Sequence, residues 1–554
     1  MATAQRLASA IASFALIACG NSRNAPADMV LTGGRIYTAD SAAPWVEALA
    51  IRGGRIVAAG SDETVNGLAA PTTRRIALAG RTVIPGINDA HAHLSPGMGG
   101  VAFLTSDDPT PDPPLAPVLD SIAVLVTRAP EGTWLTTHVA AQVLDDPRAR
   151  RLVLDRVSPE HPVMLHGWSG HGAVLNTAAL RASGLLDSAD PVGGWLERDR
   201  AGRPTGRIDE YALFNLLRHA TAARGAVPMI AALEQYDLMA ASYGITSVQN
   251  MATGFSPATL AEADRATPLR VRHRVIAFEM TSSTGRGSEW NAVRARAISD
   301  SARAGQSIVS GRKWILDGTP IERLALMRAP YTDRARWYGR SNFPFDTVQA
   351  MVREALRDSV QPIFHAVGDS AIALVFAAMR SAAPDSTWQR IRPRIEHGDQ
   401  LMADQFADAR KLGVVIVQNP THLALSLLPA RWGATRTRKS NALKSIVAAG
   451  IPLAIGSDGP ANPYLNIMFA SINPVNPGEA ITREQAVRAY TYWSAYAEGM
   501  ERVKGRLTVG MLADLTVLSQ DIFTVPADVL PATISLLTLV GGKPTLDKLK
   551  ATRP

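Results

Sequence analysis

Residues 82–94 read TVIPGINDAHAHL: an apolar run, a Pro–Gly break, and then histidines at positions 91 and 93. In an extended strand, side chains i and i+2 lie on one face. His91 and His93 can therefore present two imidazoles to one metal ion. VIPGI reads as a strand, so the pair falls at its C-terminal end, where (β/α)₈ barrels keep their sites. An H-x-H pair also occurs on ordinary surface strands, so its meaning depends on what the rest of the chain supplies.

Downstream, short apolar runs alternate with helix-like stretches. The candidate strands are ITSVQNM (245–251), VRHRVIAF (271–278), RKWILDG (312–318), PIFHAVGD (362–369), RIEHGD (394–399), VVIVQNP (414–420) and PLAIGSD (452–458). Candidate helices include TVQAMVREALRDS (347–359) and AIALVFAAMRSA (371–382). Alternating β and α predicts a parallel sheet with helices outside it, an α/β class fold of the (β/α)₈ TIM-like kind. With PGINDAHAHL and VMLHGWSGH (163–171) the strand count is about nine, one more than a barrel needs. The stretch from about 100 to 241 is too long for one βα unit. It predicts an inserted subdomain, to which the HGWSGH run is assigned.

Both ends of the chain follow a different grammar. Residues 29–84 hold β-prone runs broken by GGR or AGR turns, and 505–545 return to the same pattern. Neither piece makes a stable sheet alone, so together they predict one small β-sandwich beside a barrel spanning 85–504. A chain of 554 residues is too long for one compact core. With 46% hydrophobic and 19% charged residues it is ordinary globular material. The net charge of +8 is spread thinly, without a Lys/Arg run, which argues for a solvated basic surface and no nucleic-acid partner.

The single cysteine excludes an intrachain disulfide. Arg6 precedes an apolar run from Leu7 to Ala18, too short to span a bilayer but suited to a signal peptide. Leu16-Ile17-Ala18-Cys19 resembles the lipobox of bacterial lipoproteins. That resemblance implies cleavage before a lipidated Cys19, with residues 20–28 as a tether. The expected location is outside the cytoplasm, lipid-anchored at the periplasmic face or outer membrane. An ordinary secretory signal with a chance cysteine, or a cytosolic chain with an apolar start, stays open.

Four later strands carry a polar residue able to ligate or polarise: Lys313, His365, His397 and Asp458. Burying a lone Lys or Asp in an apolar strand is costly, and a metal or a charge partner offsets that cost. Each alone reads as a satisfied core residue. Together, at strand ends and in this order, they read as a site.

These residues resemble the amidohydrolase superfamily, and more closely its family-3 branch of N-substituted formamide deformylase-like proteins. GHGAVLNTAAL (170–180), GRPTGRIDE (202–210), HAVGDSA (365–371), RIEHGDQL (394–401), QNPTH (418–422), GSDGP (456–460) and VGMLADLTVL (509–518) match its patterns in order. The likeness runs from Val30 to Gly542. It implies a sandwich built from both chain ends, a metal-dependent barrel and hydrolysis of a small-molecule substrate. It further implies that His91, His93 and Asp458 contact one metal and that His365 and His397 hold a second. Lys313 would bridge them as a carbamate. Many relatives read KLF-x-DG where this chain has KWILDG, so a single ion held by His91, His93, His365 and Asp458 stays open, with His397 orienting water or substrate. Zn²⁺ suits such donors, and Mn²⁺, Fe²⁺ or Co²⁺ could substitute.

In the resulting scheme the metal activates water and polarises a carbonyl, while Asp458 takes the water's proton and returns it to the leaving amine. His171 is a candidate oxyanion donor or substrate contact, or equally a structural loop histidine; His422 is a weaker candidate of the same kind. Glu210 and Asp317 lie near the site without a defined role. Trp168, Trp195, Trp314 and Trp432 either line a pocket or are simply packed. Amide-type C–N hydrolysis is the leading reading. Ester hydrolysis on the same site and a non-catalytic surface lipoprotein are the alternatives. The oligomeric state is not legible.

Overall fold

The computed structural model describes residues 25–105, 112–256, 269–280 and 307–549, together with isolated positions between 257 and 268. Cys19 and its flanking run lie outside the described residues.

At the centre is an eight-stranded sheet, all of whose pairings are parallel. Its strands are β1 (Ile87–Ala92), β2 (Ile245–Met251), β3 (Arg272–Phe278) and β4 (Ser307–Ile315). They continue with β5 (Pro362–Ala366), β6 (Arg394–His397), β7 (Val415–Gln418) and β8 (Leu453–Ile455). Neighbours in sequence are neighbours in the sheet. The ends meet just past β8, where the Asp458 N–H donates to the His91 carbonyl at 2.9 Å. Gly456 makes that approach possible, because a Cβ there would sit 2.4 Å from the His91 Cβ.

Helices cover the outside for the usual reason, a single apolar stripe. In the helix Phe345–Arg357 the buried Val348, Met351, Val352 and Ala355 recur at helical spacing after Pro344. Glu354 of the same helix reaches the strand beneath it, binding Arg312 of β4 at 3.1 Å. Arg312 and Trp314 point out toward the helices, so the intervening Lys313 points into the barrel. The run RKWILDG is longer than expected, since β4 starts at Ser307. Lys313 therefore stands near the C-terminal end of its strand.

The surplus strand belongs elsewhere. Val163–Gly167 lies in a six-stranded mixed sheet, in the order Gly194–Arg198, Pro204–Glu210, Gly172–Leu175, Val163–Gly167, Leu135–Val139, Val101–Ala102. This sheet sits between β1 and β2 in the chain. Helices Tyr211–Arg224 and Val227–Tyr243 then lead back to the barrel. The second helix ends at Gly244 (φ 76°), whose left-handed turn feeds directly into β2.

Two further sheets pack together, the first from the N-terminal segment alone and the second from both chain ends. One orders Arg55–Gly60, Ala48–Arg52, Met29–Thr32 and Arg74–Ala77. The other orders Lys543–Asp547, Ser535–Val540, Leu515–Leu518, Thr82–Pro85, Arg35–Tyr37 and Trp45–Val46. Leu31, Ile51 and Ile76 from the first pack against Val83, Leu515 and Leu537 from the second in one core. Among the described residues no helix is long and apolar enough to cross a membrane.

Candidate metal centre

The centre is assembled at the C-terminal mouth of the barrel, and β1 contributes first. His91 is fully buried, and its Nδ1 lies 2.5 Å from Glu396 Oε2. A carboxylate there makes Nδ1 the donor and leaves the Nε2 lone pair facing the mouth. That Nε2 is 3.2 Å from His93 Nε2, 3.2 Å from Lys313 Nζ and 3.5 Å from Asp458 Oδ1. His93 Nε2 is 3.2 Å from the same Asp458 oxygen, and its Nδ1 meets Thr253 Oγ1 at 3.0 Å.

The strand β6 has an ordering problem that its backbone solves. Arg394 and Glu396 point inward, where Arg394 donates to both Glu396 oxygens and to the Ala90 carbonyl. Strict alternation would then send residue 397 outward. His397 instead adopts φ 67°, a left-handed conformation costing roughly 1–3 kcal/mol. Its ring thereby returns to the mouth, with its centroid 4.4 Å from that of His365 and 4.8 Å from that of His91. Asn419 fixes it, accepting from Nδ1 at 2.8 Å while donating to the Gly456 carbonyl at 2.9 Å. Asp458 also has a positive φ, 43°. Two of the site residues thus sit in conformations that local propensity disfavours.

Asp458 lies between two groups of donors. His91, His93 and Asp458 present ligand atoms all within 4.8 Å of one another, and so do His397, His422 and Asp458. Burial alone would raise the Asp458 carboxyl, yet the surrounding imidazoles, His91 foremost, hold it well below the usual carboxylate range. Burial also lowers His91, to about 4, and lowers His93, His365 and His397. Neutral imidazoles beside an ionised carboxylate are the donor set a divalent ion takes. His365 adds a second sign: its Nε2 is buried without a hydrogen-bond partner among the described residues. The donors fit a metal.

Lys313, His365, His171 and His422 complete the picture. Burial brings the Lys313 amine down to about 8. His365 is not in either close donor group; its nearest carboxylate is Asp317 Oδ1, 4.0 Å from Nε2. Asp317 itself accepts from the backbone N–H groups of Leu326, Val367 and Gly368 and so ties down the loop after β5. His422 joins the second donor group, with Nε2 3.6 Å from Asp458 Oδ2 and Nδ1 3.3 Å from Asp399 Oδ2. Burial works against its charge, but Asp399 and Asp458 outweigh it and lift His422 to about 10. His171, just before the strand Gly172–Leu175, has its ring centroid 4.6 Å from that of His365, tilted by 39°, and is held through Nδ1 by Glu210 at 3.0 Å. Glu210 is wholly buried at φ 56° and is held in turn by Asn342.

Of the tryptophans, Trp314 and Trp432 are core residues with no free face, and Trp195 lies under the Arg340 guanidinium. Trp168 alone of the four reaches the mouth, beside Gly459.

Residues 74–546 match the amidohydrolase family. The chain belongs to that family. Similar relatives include the N-substituted formamide deformylase of Arthrobacter pascens, 27% identical over 89% of this chain and 94% of that one. The putative amidohydrolase YtcJ of Bacillus subtilis is 26% identical over 93% and 99%. Protein LONG AFTER FAR-RED 3 of Arabidopsis thaliana is 27% identical over 93% and 91%. Among solved structures, an uncharacterized metal-dependent hydrolase from Pyrococcus furiosus superposes with a TM-score of 0.65 at 23% identity, over 90% of this chain and all of that one. This likeness bears on the fold: the barrel with its added sheets is the amidohydrolase architecture.

The sequence reading overlooked Glu396, Asn419, Thr253 and Asp399, which orient the histidines. For Glu396 a signal existed. R-I-E-H puts two opposite charges two residues apart inside a strand, and such charges are buried only as partners.

Proposed function

We propose that this amidohydrolase uses a divalent metal to hydrolyse an amide-type C–N bond in a small molecule. The observation that carries the proposal is the convergence of His91, His93, His397 and His422 on one ionised carboxylate, Asp458. His91, His93 and Asp458 would hold one ion; His365 and His397 would hold a second, with Lys313, as a carbamate, a further ligand. The lowered Lys313 amine supports that last step, since carbamate formation needs the neutral form. Zn²⁺ is the first choice for these donors, with Mn²⁺, Fe²⁺ or Co²⁺ as substitutes. Such an ion supplies Lewis acidity, lowering the pKa of water and withdrawing charge from a carbonyl.

The chain's own groups do the rest. Asp458 takes the proton of the attacking water on a carboxylate oxygen and delivers it to the leaving nitrogen as the C–N bond breaks. His171 and His422, each anchored through Nδ1 by a carboxylate, present Nε2 to the substrate. Choice of a C–N bond is supported by the relative named N-substituted formamide deformylase. Export and lipid anchoring through Cys19 belong to the proposal too and rest on the Leu7–Ala18 run; labelling with a radioactive fatty acid, compared with Cys19→Ala, tests them.

The central test uses the purified protein, its metal content, and matched panels of amides and esters. Stoichiometric metal and amide turnover are expected, with turnover lost in His91→Ala and in Asp458→Asn while circular dichroism stays native. Wild-type rates in either variant would overturn the assignment, and turnover of esters alone would replace the C–N reading.

A further inference from the structure

The described tryptophans other than Trp168 are all accounted for by packing. Trp314, Trp388 and Trp432 are buried in cores. Trp45, Trp134, Trp337 and Trp493 pack against hydrophobic clusters, and Trp195 has the Arg340 guanidinium over its ring at 3.9 Å. Trp168 is half-buried, belongs to no hydrophobic cluster, and its indole has no ring, cation or hydrogen-bond partner among the described residues. A large side chain left in that state offers an apolar ring face to whatever enters the mouth.

Its position is specific. Trp168 follows the strand Val163–Gly167, and its N–H donates to the Val139 carbonyl at 2.7 Å. The next residue, Ser169, donates to Glu322, which Thr319 also holds, both from the barrel segment after β4. The short loop is therefore anchored at both ends, with the His171 ring against His365 three residues on. At the other side, the indole Cζ2 lies 3.6 Å from where a Cβ of Gly459 would be. Gly459 adjoins Asp458, the proposed proton carrier. An edge of the indole thus lies beside the residue that follows Asp458, on a segment held by the barrel but supplied by the insertion.

We propose that Trp168 is the specificity-determining platform of the site, and that it selects amides bearing a flat, apolar, preferably aryl group next to the scissile bond. The inference rests on the hydrolase reading above and adds the substrate class to it. An aryl ring stacked on the indole gains buried area and ring contact worth roughly tenfold in affinity, which a methyl group in its place does not.

The experiment has two arms. In the first, steady-state kinetics compare acetanilide with N-methylacetamide in wild type, Trp168→Ala and Trp168→Phe. The wild type should favour the anilide by roughly tenfold in kcat/KM. Trp168→Ala should raise KM for the anilide about tenfold more than for the methylamide and so erase the preference, and Trp168→Phe should retain most of it. A preference that survives Trp168→Ala overturns the platform. In the second arm, calorimetry follows binding of acetophenone, an aryl ketone with no bond to hydrolyse. Its Kd should rise about tenfold in Trp168→Ala and little in Trp168→Phe. Equal binding by all three proteins overturns the inference whether or not any amide is turned over. Absent turnover with Trp168-dependent binding would instead sink the hydrolase reading and leave the platform standing. Melting temperatures of the variants within a few degrees of wild type show that neither arm reports misfolding.

Discussion

Glu396 sits between His91 and Arg394, all three buried, and its carboxylate accepts from both. Burial opposes its ionisation, but Arg394 and His91 reverse that and hold the Glu396 carboxyl below the usual range. Replacing it with glutamine leaves Arg394 buried without its counter-charge, a loss of about 3–5 kcal/mol. It also frees the His91 ring, and loss of such an orienting partner lowers metal affinity about 10–100-fold. The pH dependence has a definite sign. A carboxylate depressed by folding stabilises the native state fully above its unfolded pKa, about 4, and that contribution is lost progressively as pH falls below it toward the lower folded pKa. Chemical denaturation of wild type and Glu396→Gln should therefore differ most near neutrality and converge in acid. A gap that stays constant from pH 7 to pH 3 would show that the pair is not ionised.

At the scale of elements, the metal centre depends on how β8 meets β1. The Asp458 N–H bonds the His91 carbonyl, and Ser457 N–H bonds Asp89 Oδ1 at 2.9 Å, so one short segment closes the barrel and places the proposed base. There is no room for a side chain at Gly456, where a Cβ would meet the His91 N, Cα and Cβ. Gly456→Ala puts a methyl group 2.4 Å from the His91 Cβ and N, and backbone on both sides must shift. The expected cost is about 1–3 kcal/mol from overpacking, together with loss of metal as His91 and Asp458 separate. Thermal melting and metal content of the variant measure both. Full metal occupancy with an unchanged melting temperature would mean that the seam is looser than its geometry states.

At the scale of the molecule, the inserted sheet must stay docked on the barrel for His171 and Trp168 to reach the mouth. A square of charges joins them. Arg431, buried after β7, binds Asp145 of the insertion at 2.7 Å and Asp333 at 2.6 Å. Arg323 binds the same two carboxylates at 2.5 and 2.9 Å. Both aspartates are partly exposed, so screening limits the loss in Arg431→Ala to about 1–2 kcal/mol. Hydrogen exchange should accelerate in Leu135–Val139 and Val163–Gly167 and stay unchanged in β5 and β6. Uniform acceleration across the barrel would show that the square supports the whole fold and not the docking of the insertion.

Much of this was legible in the linear chain. Short apolar runs mark the strands of the barrel, which are buried on both faces, and helical spacing marks the helices Phe345–Arg357 and Asp369–Ala382, because burial writes its pattern into neighbouring residues. His91, His93, Lys313, His365, His397 and Asp458 stood out for a related reason: a polar residue in an apolar strand is costly unless something answers it. Spacing alone left nine strand candidates, and only the pairing of Val163–Gly167 with the insertion's sheet resolved the count. Tertiary structure alone also decided that His422 joins the Asp458 donors, that Glu396 orients His91, and that Trp168 lies beside Gly459. Those contacts link residues tens to hundreds of positions apart, or depend on a left-handed turn at His397, and neither leaves a periodic trace in sequence.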